Sequence, residues 1–500
     1  MGSKPKILFF LDVFYLHFCL AYYLQSTLDS DNYAIIDTNS KPKVFFKNQS
    51  LVNFKKTWFF HDNISKKKID PDLNYLLKFE NKYGIDLWKL AINERFFYKH
   101  NRFYKFSKNE ILSILEQECK FFETILDEIK PDYLLIYDPP FHYQKLLLDL
   151  CKAKGIKISC MYITRVGGNS IIASDGNTFD FPQNLDQVKL EKNLTKKSIK
   201  DIKHISEYSV VSQIWSNKRY PSNLEKIKSL KDYILLSDSN NTQSNFTYYG
   251  RTKTKVILDH SSFIIKKKIR ERFMQKNLSK KIDSKIPYVY FPMNVEEEIS
   301  TLHYTPFFTN QIEVIRHIAK SLPVGYHLYV KEHPHAVHRG WHKIDEYKEI
   351  LDIPNVTLMH PSFSSEDLMK YSKLVITIRG TASFNCLYEN KPSIVFGDVP
   401  FSIIPSVFKI NSPVELPKTI RTALKTKVNP DHLQKYIKLI EERSINFSMM
   451  DWEILRNNQF FSNNVLSDID IPEDSVKQFF DNTKEYFKPL LNAHLKILNS

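Results

Sequence analysis

In the first third of the chain, short unbroken apolar runs alternate with stretches in which apolar residues recur every three or four positions. Runs at 7–11, 33–36, 58–60, 133–137 and 156–162 predict strands, and 15–28, 108–129 and 143–154 predict helices. An unbroken apolar run is what a strand covered on both faces looks like, so the alternation predicts a parallel sheet with crossover helices. Gly155 follows Lys152 and Lys154, the usual ending of a helix, after 143–154.

The same alternation returns at 288. Strands are predicted at 288–291, 327–330, 356–359, 374–378 and 393–396, with helices at 306–322, 342–351 and 365–371; Ser364, three residues before Asp367, resembles the start of a capping box. After Pro417 the pattern is helical to the end. Between the two α/β blocks lie a polar loop at 164–187, helical periodicity at 199–235, a polar stretch at 237–247 and a basic helical segment at 264–281. Five hundred residues, 42% of them apolar, exceed what one core usually serves. The expected organisation is an N-terminal α/β domain at 1–245, a basic linker helix at 246–285, a C-terminal α/β domain at 286–415 and a helical tail at 416–500 packing across both.

The apolar stretch 7–24 follows Lys4 and Lys6, as a signal peptide would, but Asp12 and His17 interrupt it and no small-residue cleavage site follows. It reads as a first strand and helix. No other run reaches spanning length, so a soluble or peripheral protein of the cytoplasmic compartment is expected.

Charge and composition narrow the picture. Lys plus Arg number 71 against 56 Asp plus Glu, a surplus of +15 that suits a polyanionic partner. The basic residues of 264–281 suit either a solvated helix face or an anionic membrane surface; they are not interleaved with a readout motif, which argues against nucleic acid. Five cysteines without a C-x-x-C pair read as buried thiols. Only 11 glycines occur in 500 residues, so Gly380, Gly397 and the adjacent pair Gly167-Gly168 carry weight.

Chemistry concentrates where predicted strands end. Lys331-Glu332-His333-Pro334 closes one strand and presents an imidazole at its tip; Gly380, Thr381 and Ser383 open a helix after another, where free N–H groups and the helix dipole favour phosphate. The acids Glu296, Glu297 and Glu298 follow the first strand of this block, and a carboxylate beside an anionic ligand can serve as acid, base or nucleophile. In the first block Asp12 and Asp138 end strands, and Arg165 with Gly167 and Gly168 forms a loop suited to an anionic group or to a plain turn. The Asp-x-Asp triplets 29/31, 70/72 and 468/470 do not follow apolar strands, so no metal–diphosphate site is expected. P-loop, dinucleotide-binding and G-x-S-x-G motifs do not occur.

The order of motifs in 288–400 resembles the capsular polysaccharide biosynthesis family, the Kdo-transferase-like glycosyltransferases of the GT-B fold. The resemblance is carried by Pro292-Met293-Asn294 with the acids to Ser300, Asn310-Gln311, Lys331-Glu332-His333-Pro334, Arg379-Gly380-Thr381-Ala382-Ser383 and Lys391-Pro392 through Gly397. Arg379 stands where the family has a small residue, and Asn385 where it usually has a glutamate. The resemblance implies two Rossmann-like domains facing across a cleft, with a nucleotide-sugar donor on the C-terminal one and the acceptor on the other. It assigns His333 to the donor phosphate, Thr381 and Ser383 to phosphate or nucleotide, and Glu298 or Glu297 to the reacting sugar; Lys331, Pro334, Gly380 and Asn385 complete the donor set. A CMP-activated acid sugar such as Kdo is favoured over a UDP-sugar, the acceptor being a capsular or lipid-linked glycan and no metal or other cofactor being required. Arg165, Gly167 and Gly168 would face the acceptor, with Asp12 or Asp138 as a carboxylate from the first domain. The alternatives are a nucleotide-sugar epimerase or hydrolase on the same fold, and a catalytically degenerate membrane-tethering component.

Overall fold

The computed structural model describes residues 4–65, 70–180, 184–190, 223–236, 241–333, 342–461 and 468–499. The chain divides by packing into two units, the first comprising 1–174, 208–256 and 443–500 and the second 175–207 and 257–442.

In the first unit, β1 (Lys6–Asp12), β2 (Asp31–Asp37), β3 (Lys56–Phe59), β4 (Tyr133–Tyr137), β5 (Lys157–Ile163) and β6 (Ser170–Ala173) form one sheet in the order β3-β2-β1-β4-β5-β6. All pairings are parallel except β5 with β6. Central β1 is apolar without a break because both its faces are covered: Ile7 to Leu11 are at most 1% exposed. The long helix Lys108–Ile129 starts at a full capping box, Ser107 accepting from the Glu110 N–H and Glu110 from that of Ser107.

In the second unit, β7 (Tyr288–Pro292), β8 (His327–Lys331), β9 (Val356–Met359), β10 (Leu374–Thr377), β11 (Ser393–Phe396) and β12 (Val407–Ile410) form an all-parallel sheet ordered β12-β11-β10-β7-β8-β9. Both units therefore show the Rossmann strand order, with the strand sequence reversing direction between β1 and β4 in one and between β7 and β10 in the other. Two such units in one chain are the constituents of a GT-B fold.

Several elements differ from the sequence reading. The predicted helix 306–322 is a 3-10 turn at Pro306–Phe308 followed by the helix Gln311–Ser321, which Asn310 caps by accepting from the Glu313 N–H. The loop 164–187 contains β6, and β12 lies where no strand is predicted. Of the helical C-terminal tail, Leu416–Lys425 and most of Pro430–Arg443 pack with the second unit, whereas Met449–Arg456 and Glu473–Leu498 complete the core of the first. Trp452 is fully buried there and donates its indole N–H to the Phe14 carbonyl at 2.9 Å. All five cysteines are free and buried.

Candidate active site

In a doubly wound sheet, ligands sit outside the carboxyl ends of the strands at the point where the strand order reverses. In the second unit that point lies between β7 and β10, and three neighbouring strand ends are joined there. The Met293 N–H donates to the Lys331 carbonyl at 2.9 Å, tying the end of β7 to that of β8. The Thr377 hydroxyl donates to Asn294 Oδ1 at 3.0 Å and accepts from the Gly380 N–H at 3.0 Å, tying β7 to β10. Gln311, fully buried, holds the Asn294 backbone from both sides, accepting its N–H at 2.6 Å and donating to its carbonyl at 2.8 Å. A β-carbon on Gly380 would lie 2.5 Å from Thr377 Oγ1, so a glycine is needed here for close approach rather than for a left-handed backbone.

A second network lies beneath the same edge. Glu332 accepts from the Tyr347 hydroxyl and sits 2.8 Å from His342 Nδ1, and the other ring nitrogen of His342 is 3.4 Å from Glu296. Burial opposes a charge on His342, but the carboxylates of Glu296 and Glu332 outweigh it and hold the imidazole up at about 10. Arg379 is buried too: its guanidinium lies 4.1 Å over the Tyr304 ring and donates to Asn177 at 2.9 Å.

Against this frame the predicted donor residues fall into two groups. His333 is half-buried just past β8, Thr381 is half-exposed, and Asn385 is exposed. Lys331 and Ser383 instead turn into the protein: Lys331 donates to Ser365 at 2.7 Å, with burial lowering its ammonium to about 8, and Ser383 donates to the Gly380 carbonyl at 2.7 Å. Pro334 lies outside the described residues. The helix expected after β10 is only Ala382–Asn385 before a 3-10 turn, so its dipole is far smaller than the sequence reading supposed. Among the three acids, Glu298 is exposed at the start of the one-turn helix Ile299–Leu302, Glu297 is half-buried and Glu296 is buried. Residue types alone could not single out Glu296, nor pair it with His342.

At the corresponding edge of the first unit, Asp12 and Asp37 end the paired strands β1 and β2. Asp12 accepts from the Tyr137 hydroxyl and from the Phe14 N–H at 2.9 Å; burial raises its carboxyl to about 6 despite these bonds. Asp37, which the sequence reading missed, accepts from the Tyr143 hydroxyl at 2.7 Å and lies 2.8 Å from His61. Asp138 is half-buried beyond β4. Gly167 and Gly168 take consecutive positive φ values of 64° and 70° in the turn joining β5 to β6, which accounts for the pair by geometry, with half-buried Arg165 at its start. Among the described residues, no group of three or more His, Cys, Asp or Glu is placed to hold a metal ion. No helix among them is long and apolar enough to cross a membrane.

The polar framework at β7, β8 and β10 falls within a stretch that matches a known family over residues 202–405, described as capsule polysaccharide biosynthesis protein. This stretch is similar to that family. The capsule-synthesis match spans 204 residues and includes Gln311, Lys331, His333 and Gly380 to Ser383. The chain matches no curated protein. Among solved structures, it is similar to Thermosulfurimonas dismutans KpsC, beta Kdo 2,7 transferase (11% identity, 68% of this chain and 89% of that one, TM-score 0.29). It is also similar to the UDP-GlcNAc 2-epimerases of Methanocaldococcus jannaschii (11%, 87% and 99%, TM-score 0.24) and Neisseria meningitidis (11%, 88% and 99%, TM-score 0.26). None of these scores reaches a level that bears on function.

Proposed function

We propose that the chain is a glycosyltransferase of capsule synthesis, taking a sugar from a nucleotide donor at the carboxyl edge of the second unit's sheet. The observation that carries this reading is the frame of buried Gln311, Asn294 and Thr377 with half-buried Gly380 at the strand-order reversal, inside the capsule-synthesis stretch. Such a frame holds a loop rigid at the place where a parallel sheet receives anionic ligands. His333, half-buried just past β8, and Thr381, half-exposed after β10, are assigned to the donor phosphate, while Lys331 and Ser383 brace the strand ends. A CMP-activated acid sugar such as Kdo is the favoured donor, a capsular or lipid-linked glycan the acceptor, and the inner membrane surface the place of work, without a metal.

Asp12 is the proposed base for the acceptor hydroxyl. With its carboxyl raised to about 6 it is largely ionised at neutral pH, yet more basic than an ordinary aspartate. Glu297 and Glu298, half-buried and exposed just past β7, are the candidates to act at the sugar.

The test is release of nucleotide from CMP- and UDP-sugars with and without a lipid-linked capsular acceptor. Acceptor-dependent release with sugar appearing on the acceptor supports transfer. Turnover without acceptor points instead to the epimerase or hydrolase reading, and no turnover with any donor removes the enzyme reading in favour of a degenerate tethering component, which exposed Asn385 at the usual glutamate position would favour.

A further inference from the structure

The helix Lys253–Asn277 has apolar residues on opposite sides. Phe263 and Met274 lie on its inward side, Met274 in the core of the second unit and Phe263 half-buried. Leu258, Ile264, Ile265 and Ile269 are 68%, 46%, 62% and 50% exposed. Leu258, Ile265 and Ile269 are spaced by seven and four residues, which places them in one stripe along the helix. An exposed apolar stripe of this size on a folded chain marks a docking face.

The same line continues into Arg272 and Lys276, both exposed. They line, with Lys268, Gln275 and His360, an open depression of about 700 Å³ between the helix and the end of β9. Its acid, Glu271, lies 3.8 Å from Lys267 and is thereby partly offset. Exposed Lys266 flanks the stripe. Apolar side chains flanked by lysines and followed by a basic hollow fit a surface whose outer layer is anionic and whose next layer is hydrocarbon. A protein partner would have to supply both an acidic patch and an apolar ridge in that register.

We infer that this helix face docks on an anionic lipid bilayer, Leu258, Ile264, Ile265 and Ile269 entering the acyl boundary while Lys268, Arg272 and Lys276 hold lipid phosphates in the hollow. The inference names the surface by which the chain would reach a lipid-linked acceptor, and so rests on the reading given above. The basic run alone, as the sequence presents it, does not distinguish this from a solvated face. The exposed stripe does.

The test is co-sedimentation of the full chain with vesicles of phosphatidylcholine alone and with about one-third phosphatidylglycerol, at about 0.1 M and about 0.5 M salt. The expected result is binding to the anionic vesicles at least ten-fold tighter than to neutral ones, weakened by salt. Ile265→Ser with Ile269→Ser should lower it at least ten-fold. Lys268→Gln, Arg272→Gln and Lys276→Gln together should erase the anionic preference, each cation near the surface contributing roughly five-fold. These residues are exposed, so the variants should keep the parent's melting temperature and nucleotide binding, which separates failure here from failure of the donor site. Absence of wild-type binding, equal binding by the serine variant, or self-association abolished by the serine pair without vesicle binding would each overturn the inference.

Discussion

Replacing Gly380 by alanine tests the frame at the strand-order reversal with a single methyl group. The added carbon would lie 2.5 Å from Thr377 Oγ1, well inside any real contact, and 3.5 Å from the Asn294 side chain. Thr377 must rotate or β10 must shift, and either movement strains the two 3.0 Å bonds that pass through its hydroxyl. One buried and one part-buried hydrogen bond at ~1 kcal/mol each, with about 1 kcal/mol for an off-rotamer threonine, give a loss of roughly 3 kcal/mol. Against that, Gly380 has no positive φ, so alanine restricts the unfolded chain and recovers about 0.4–1 kcal/mol. The net destabilisation is about 2–2.5 kcal/mol, a fall of roughly 4–10 °C in the melting of a unit this size. Calorimetry of wild type, Gly380→Ala, Thr377→Ala and the double variant measures it. Because Thr377→Ala removes the clashing oxygen, the double variant should be no less stable than Thr377→Ala alone. Additive losses, or a Gly380→Ala protein that melts with the wild type, would refute the proposed contact.

Other consequences follow from the same geometry. Gln311→Leu leaves the buried Asn294 N–H and carbonyl without partners and should cost about 2–5 kcal/mol in urea unfolding, whereas a loss under 1 kcal/mol would mean that Gln311 does not hold that loop. His342, held at about 10 against an unfolded value near 6.5, contributes stability that is full below pH 6.5 and is lost as pH rises through 10. His342→Gln should therefore flatten the alkaline fall in urea midpoint between pH 7 and pH 10, and a variant with the wild-type profile would show that the histidine is neutral in the fold. If Asp12 is the base, kcat/KM should fall about ten-fold per pH unit below about 6, and Asp12→Asn should lower kcat by roughly 10²–10⁴-fold; full activity in that variant would remove Asp12 from the mechanism.

The parallel sheets were readable because a strand covered on both faces must be apolar at every position, as Ile7 to Leu11 and Leu374 to Ile376 are. The edge strands β6 and β12 were not, since Ser170–Ala173 lies inside a polar loop and Lys409 interrupts the apolar run Val407–Ile410. The packing of Trp452 and Phe487 into the first unit's core depends on contacts more than 400 residues away in sequence, which no local pattern encodes. At the candidate site, Gln311 and Gly380 were visible as motif residues, but their work is on the Asn294 backbone and the Thr377 hydroxyl, partners that only the fold supplies. The acids at 296–298 show the same limit most sharply: they are chemically alike in sequence, and burial alone distinguishes Glu296, bound to His342, from exposed Glu298.

Calorimetric titration of CMP and UDP into the full chain, repeated with His333→Ala, tests the donor site most directly. The account predicts binding of CMP in preference to UDP, weakened at least ten-fold, or ~1.4 kcal/mol, by the substitution. Neither nucleotide binding, or CMP binding equally well to wild type and His333→Ala, would contradict a donor site at the ends of β7, β8 and β10.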